Sequence, residues 1–329
     1  MSGSRRVRRR SIAAFSVVAA ASSLGLVAFA APASAGLTTH CVGDAGAVTV
    51  PGDLLVPAGK SCVLDGTKVT GEVTVEPGAN LVVTGGDFAK SVRVADDGFF
   101  DALGTTVRGN VVLADAYGTF LAGGLVHGSV QVTAPAHPER VTYAFASGAH
   151  VKGDVTATAG EIFAENSLLD KKVTGTGVSY VDLDGVVVGG DLAVSGAALG
   201  SVFCGGEVYG DAVYTTNSGK LQIGADGPVT VCAEASYWGG DLTISGNTAE
   251  VRVGNNIVRG DLAGTDNAPA PTGEGNRVRG TVSGQFTQLA ASPQTAATAK
   301  SADRGAALEA KSDQRRAAAR AAVIGTNAF

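Results

Sequence analysis

The side chains that could do chemistry stand at long intervals instead of in one cluster. Asp191, Asp211, Asp241 and Asp261 follow one another at steps of 20 or 30 residues. Carboxylates repeated in this way could share calcium ions, act as acid and base on a polysaccharide, or accept backbone N–H groups. Cys41, Cys62, Cys204 and Cys232 are an even set with no C-x-x-C spacing, which favours disulfides over a zinc site. His40, His127, His137 and His150 are scattered and read as surface or turn residues. Tyr209, Tyr237 and Trp238 form an aromatic group that a sugar ring or a partner protein could stack on.

These residues are positioned by a repeat. Val107-Arg108-Gly109-Asn110-Val111 returns as Val69-Thr70-Gly71-Glu72-Val73, Val188-Gly189-Gly190-Asp191-Leu192 and Val258-Arg259-Gly260-Asp261-Leu262, among others, between about residue 52 and residue 282. The glycine serves as a register mark at Gly52, Gly71, Gly109, Gly128, Gly153, Gly175, Gly190, Gly210, Gly240, Gly260 and Gly280, with Ser91 in the glycine place of one unit. Spacings are mostly 18 to 20, with 25 before Gly153, 22 before Gly175, 15 before Gly190 and 30 before Gly240.

A period this short, made of alternating valine-rich runs and broken by Pro-Gly, Asp-Gly and Gly-Gly turns, leaves no room for a helix in each unit. It predicts an all-β fold, a single parallel β-helix (solenoid) of about twelve rungs. The positions two before and two after the glycine are almost all aliphatic, as in Val107 and Val111. Strand alternation therefore turns both columns and the glycine inward. Basic residues such as Lys152 and Arg259 stand just before the glycine, and Asp191, Asp211, Asp241 and Asp261 just after it. Rungs about 4.8 Å apart would stack those four carboxylates into a ladder of like charge. The expectation is that each caps an N–H at its own turn, with calcium bridging the ladder as the alternative and no other cofactor implied. The same register puts Cys41 beside Cys62 and Cys204 beside Cys232 on neighbouring rungs. That is within the roughly 4.4–6.8 Å Cα window of a disulfide.

Residues 1–35 carry five arginines, an apolar run from Ile12 to Ala30 and an Ala33-Ser34-Ala35 site, the pattern of a cleaved secretory signal peptide. Removing it leaves 20 basic against 30 acidic residues, a formal net charge of −10 that argues against nucleic acid as a partner. No transmembrane segment is expected in the mature chain. Residues 36–51 are expected to cap the open N-terminal end, 52–289 to form the β-helix, and 290–329 to be an alanine-rich tail. That tail is flexible or partly helical, or else a C-terminal cap of the solenoid.

The Gly109-Asn110-Val111 and Gly190-Asp191-Leu192 type of turn resembles those of the right-handed parallel β-helix superfamily. It is similar to the turns of secreted bacterial β-helix-repeat proteins and, more distantly, of bactofilin-type polymer-forming proteins. The resemblance covers residues 52–289 and implies a right-handed coil; bactofilins, in general cytoplasmic and cysteine-free, differ from this chain in both respects. Many right-handed β-helices act on acidic polysaccharides. The Asn-Thr-Asp, Gly-His-Gly and Arg-Ile-Lys signatures of polygalacturonase-like enzymes do not occur here, and the adjacent pair Asp96-Asp97 is followed by Gly98, as in a turn.

Two functions are expected from these readings. One is a secreted, non-catalytic scaffold or cell-envelope-associated structural or adhesion protein, with cell-wall glycan or self-association as partners. The other is an extracellular carbohydrate-binding or polysaccharide-degrading β-helix. An aromatic content of 5% favours the first, because sugar grooves are usually lined with aromatic platforms. If a ligand site exists it is expected near the long interval from Gly210 to Gly240, at Tyr209 and Tyr237. Trp238, replacing an inner-column valine, is read as core or loop packing beside it.

Overall fold

The computed structural model describes residues 36–133, 137, 139–232, 234–291 and 303–329. The expected signal peptide, residues 1–35, lies outside the described residues. The chain from Gly36 onward winds into twelve coils of up to three short strands each, and all ladder pairing is between successive coils and parallel. Sheet I has twelve strands, from Thr38–His40 to Leu262–Ala263; sheet II has eleven, from Gly43–Ala45 to Val251–Gly254; and sheet III has twelve, from Thr49–Val50 to Arg277–Val278. Residues 36–51, expected as a cap, thus form the first complete coil, because Thr38–His40 pairs in register with Asp53, Leu54 and Leu55.

The inner columns run as the valine pattern requires. Leu54, Val73, Val92, Val111, Val130, Val155, Val173, Leu192, Ala212, Leu242 and Leu262 are stacked in sheet I. Each is buried. Strands of two to five residues suffice here, since every coil buries its aliphatic face against its neighbours and no coil has to be stable alone.

The glycine place differs from the sequence reading in two coils and in direction. Gly109 N–H donates to the carbonyl of Lys90, and Gly190 N–H to that of Lys171, both at 3.3 Å. The chain of bonds from Gly128 to Gly109 and from Gly210 to Gly190 makes the same link elsewhere. The place is therefore held by Lys90 and not Ser91, and by Lys171 and not Gly175; Gly175 sits opposite Ala157 and Val194 within a strand of sheet I. With Lys171 in place, the odd steps of 22 and 15 become 18 and 19. The glycine also faces the coil before it instead of the core. A Cβ at Gly71 would lie 2.3 Å from the carbonyl carbon of Gly52. Strand parity does not extend to this position because it turns the corner between sheets III and I.

The C-terminal segment is partly helical, as one of the two expectations had it, but its helix packs back along the solenoid instead of capping the C-terminal end. Helix α1, Arg304–Ala322, begins at the N-cap Asp303, whose carboxylate accepts Ala306 N–H at 3.0 Å. It lies along the outer face of sheet II and runs back toward the first coil. Nineteen residues make about 28 Å of helix, roughly six coils. That length carries the contacts from Asp182 in the eighth coil to Asn80 in the third. Beyond it, Asn327 pairs with Asp44, and Ala328 enters the core cluster. The open N-terminal edge of sheet II is thus covered by the other end of the chain. At the far end the 3-10 turn Gly284–Gln288 buries Phe286 in the core.

Candidate functional site

Both disulfides join neighbouring coils, with Cα–Cα distances of 5.6 Å for Cys41–Cys62 and 5.5 Å for Cys204–Cys232. The second one closes the excursion that makes the Gly210–Gly240 interval long. Its cysteines pack with Val202 and Val229 outside sheet II. Gln222 holds the excursion from below: its amide donates to the carbonyls of Ala225 and Thr230 and accepts from Val229 and Thr230, at 2.8–3.0 Å.

The aspartate column is a hydrogen-bonded ladder. Asp191 Oδ1 accepts Asp211 N–H, Asp211 Oδ1 accepts Asp241 N–H, Asp241 Oδ1 accepts Asp261 N–H, and Asp261 Oδ1 accepts Thr281 N–H. Each carboxylate therefore caps the next coil and not its own turn, because the corner N–H that lacks a ladder partner lies one rung further on. Asp53 and Asn110 do the same for Glu72 and Ser129, and Ser91 does so for Asn110. A neutral hydroxyl or amide serves as well as a carboxylate, which marks the column as structural.

Tyr209 and Tyr237 are 57% and 47% exposed and lie on adjacent coils at sheet III. Tyr237 belongs to an outer column in which it follows Leu168, Val187 and Glu207 and precedes Ile257. Leu168 is exposed, and Val187 and Ile257 are half-buried. Trp238 is not on this face. It points inward, fully buried, with its ring 4.4 Å from that of Phe203 and its Nε1–H donating to Asn256 Oδ1 at 2.9 Å.

The larger aromatic group is on sheet II, and the sequence reading missed it. Phe99, Phe120, Tyr143, Phe145 and Tyr180 are buried on the outer side of the sheet with Leu308 of α1. The helix covers this face with cations. Arg304 lies 4.5 Å over Tyr180, Arg315 4.7 Å over Tyr117, and Arg316 5.3 Å over Phe120. Two outward carboxylates complete the contact: Asp182 pairs with Arg304 at 2.9 Å and Asp101 with Arg316 at 2.7 Å. Burial under the helix pushes Asp182 up to about 6 despite Arg304, and it also raises Asp101 and Glu161. Desolvation likewise raises the phenols of Tyr143 and Tyr180. Because these residues recur only once per coil, each stood alone in the sequence; the signal was that Phe120, Phe145 and Phe163 hold one register position.

Of the histidines, His150 Nε2 stands 2.9 Å from Asp170 Oδ1 at the surface of sheet III. His137 faces Asp96 and Asp115 at the corner between sheets I and II. No helix of the described residues is long and apolar enough to cross a membrane. No family model, curated protein or solved structure matches the chain, so its functional reading rests on its own residues.

Proposed function

We propose that the protein is a secreted, non-catalytic scaffold or adhesion protein of the cell envelope, which offers the outer face of sheet III to a cell-wall glycan or a partner protein. The observation that carries this reading is the exposure of Tyr209 and Tyr237 on adjacent coils, in an outer column that also holds Ile257 on the next coil and, beyond Glu207, Val187 and Leu168. Sheet II is covered by α1 and by the excursion that Cys204–Cys232 closes, whereas among the described residues no such element covers this column. Two disulfides and the leader-like N-terminal sequence fit an oxidising, extracellular setting. The acidic ladder caps backbone and Asp101 and Asp182 pair with the helix, so those carboxylates support structure better than hydrolysis.

The test is retention of the mature protein on a panel of insoluble cell-wall and plant glycans and on cell-envelope fractions. Tyr209→Ala/Tyr237→Ala should lose the retention that the wild type shows while keeping its melting temperature. Undiminished retention, or turnover of any glycan, would overturn the reading.

A further inference from the structure

The corner between sheets I and II brings together three side chains from three successive coils. Asp96 and Asp115 occupy the equivalent place on the fourth and fifth coils, and His137, which in sequence lies between Val130–Thr133 and Tyr143–Ser147 of the sixth coil, stands beside both. His137 Nε2 lies 4.0 Å from Asp96 Oδ2 and 3.9 Å from Asp115 Oδ2, and one ligand atom from each of the three residues lies within 4.8 Å of the other two. Asp115 is only 8% exposed and its Oδ1 is buried with no hydrogen-bond partner, a costly arrangement for a carboxylate. The other imidazole nitrogen, Nδ1, faces Glu139 Oε1 at 3.6 Å. At that distance Glu139 adds negative charge beside the imidazole without a hydrogen bond to it.

Charge points the same way. Asp96, Asp115 and Glu139 bring three negative charges to the corner, and Arg140, paired with Asp96, supplies one positive charge. We infer that Asp96, Asp115 and His137 bind a divalent transition-series ion of the zinc class, which joins the sixth coil to the two coils before it. Metal–ligand bonds of about 2.0–2.2 Å set ligand atoms about 3.3–3.6 Å apart around a tetrahedral ion, so the exposed His137 has to close on each carboxylate by about 0.5 Å from its 4.0 and 3.9 Å separations. The donor set selects the ion. One imidazole with two carboxylates suits zinc or its transition-series neighbours, whereas calcium wants six to eight oxygens. Three protein ligands leave the remaining positions to water.

The test is titration of the untagged, metal-stripped mature protein with Zn²⁺, Mn²⁺ and Ca²⁺ by calorimetry, with Co²⁺ absorption as a second readout of the ligand field. The expected result is one Zn²⁺ per chain and no measurable Ca²⁺ binding at that site. His137→Ala and Asp115→Asn should each weaken Zn²⁺ by more than about tenfold. His137 is exposed, and asparagine tolerates the positive φ of 57° at residue 115, so both variants should fold. His150→Ala removes the other histidine–aspartate pair and should leave the titration unchanged. Failure to bind Zn²⁺ below millimolar concentration, binding that survives His137→Ala, or an equal loss in His150→Ala would overturn the assignment.

Discussion

The amide of Ala328 donates to the carbonyl of Asp44 at 2.9 Å, and the amide of Asp44 donates to the carbonyl of Thr326 at 2.8 Å. The end of the chain thus serves as an added strand on the first coil of sheet II. An uncovered edge there would present unpaired N–H and C=O groups to other chains.

Ending the chain after Gly325 should expose that edge while leaving α1 in place. Two hydrogen bonds at about 1 kcal/mol each, with the buried Ala328 side chain, suggest a loss of about 2–3 kcal/mol. Hydrogen exchange at Asp44 is the direct measurement: its amide should pass from protected to fast. Protection equal to that of the full chain would mean that the edge does not depend on Thr326 and Ala328.

Strand parity can be tested at one pair of neighbours. Val111 is fully buried in the inner column of sheet I, and Val112 faces outward beside Arg93 and Gln131. Val111→Asp should cost several kcal/mol or unfold the protein, since a buried carboxylate has no partner there. Val112→Asp should change thermal melting by less than about 1 kcal/mol. Equal effects would contradict the register.

Val111 and its column also show why the architecture was legible. A buried aliphatic residue at the same phase of every unit is a one-dimensional signal, and so were the two cysteine pairs. Lys90 and Lys171 were not legible, because the place they fill was recognised by glycine alone, and Gly175 offered a false match two residues after Val173. Helix α1 shows the opposite limit, for a partly helical tail was expected there but its docking on sheet II was not. Its buried residues Gly305, Leu308, Ser312 and Ala319 give almost no apolar stripe. What holds it is Arg304, Arg315 and Arg316 against aromatic rings and carboxylates that lie far away in sequence. Tyr209 and Tyr237 could be recognised as outward-facing from phase alone, while Trp238 followed the inner column it interrupts.

The aspartate ladder separates a need for an acceptor from a need for charge. Asp211→Ala removes the acceptor of Asp241 N–H and should cost about 1 kcal/mol at this exposed corner. Asp211→Asn keeps an acceptor oxygen and takes one charge out of a like-charged column, so its melting temperature should equal or exceed that of the wild type. Asn110 already performs this role for Ser129. If Asn is as damaging as Ala, the charge itself contributes and the capping account fails.

The contact between α1 and sheet II should tighten in mild acid. Asp182 is buried beneath Arg304, and desolvation pushes its carboxyl up to about 6, above the ordinary value of about 3.9. Between those two values the folded protein holds a proton that the unfolded chain has released, so stability falls as pH rises through this window. The full difference is at most about 3 kcal/mol, present below about pH 4 and lost above about pH 6. Asp101 and Glu161, also raised by burial, act in the same direction. Melting temperatures of the wild type and of Asp182→Asn, followed from pH 8 to pH 4.5, isolate this group from the general titration. The wild type should rise relative to Asp182→Asn as pH falls through 6. Arg304→Ala leaves Asp182 buried without its cation, so its deficit against the wild type should be greatest above pH 6 and shrink in acid, where the carboxyl is neutral. Parallel curves for all three proteins would show that Asp182 is ionised in the folded state throughout, and that the Arg304 ion pair outweighs its burial.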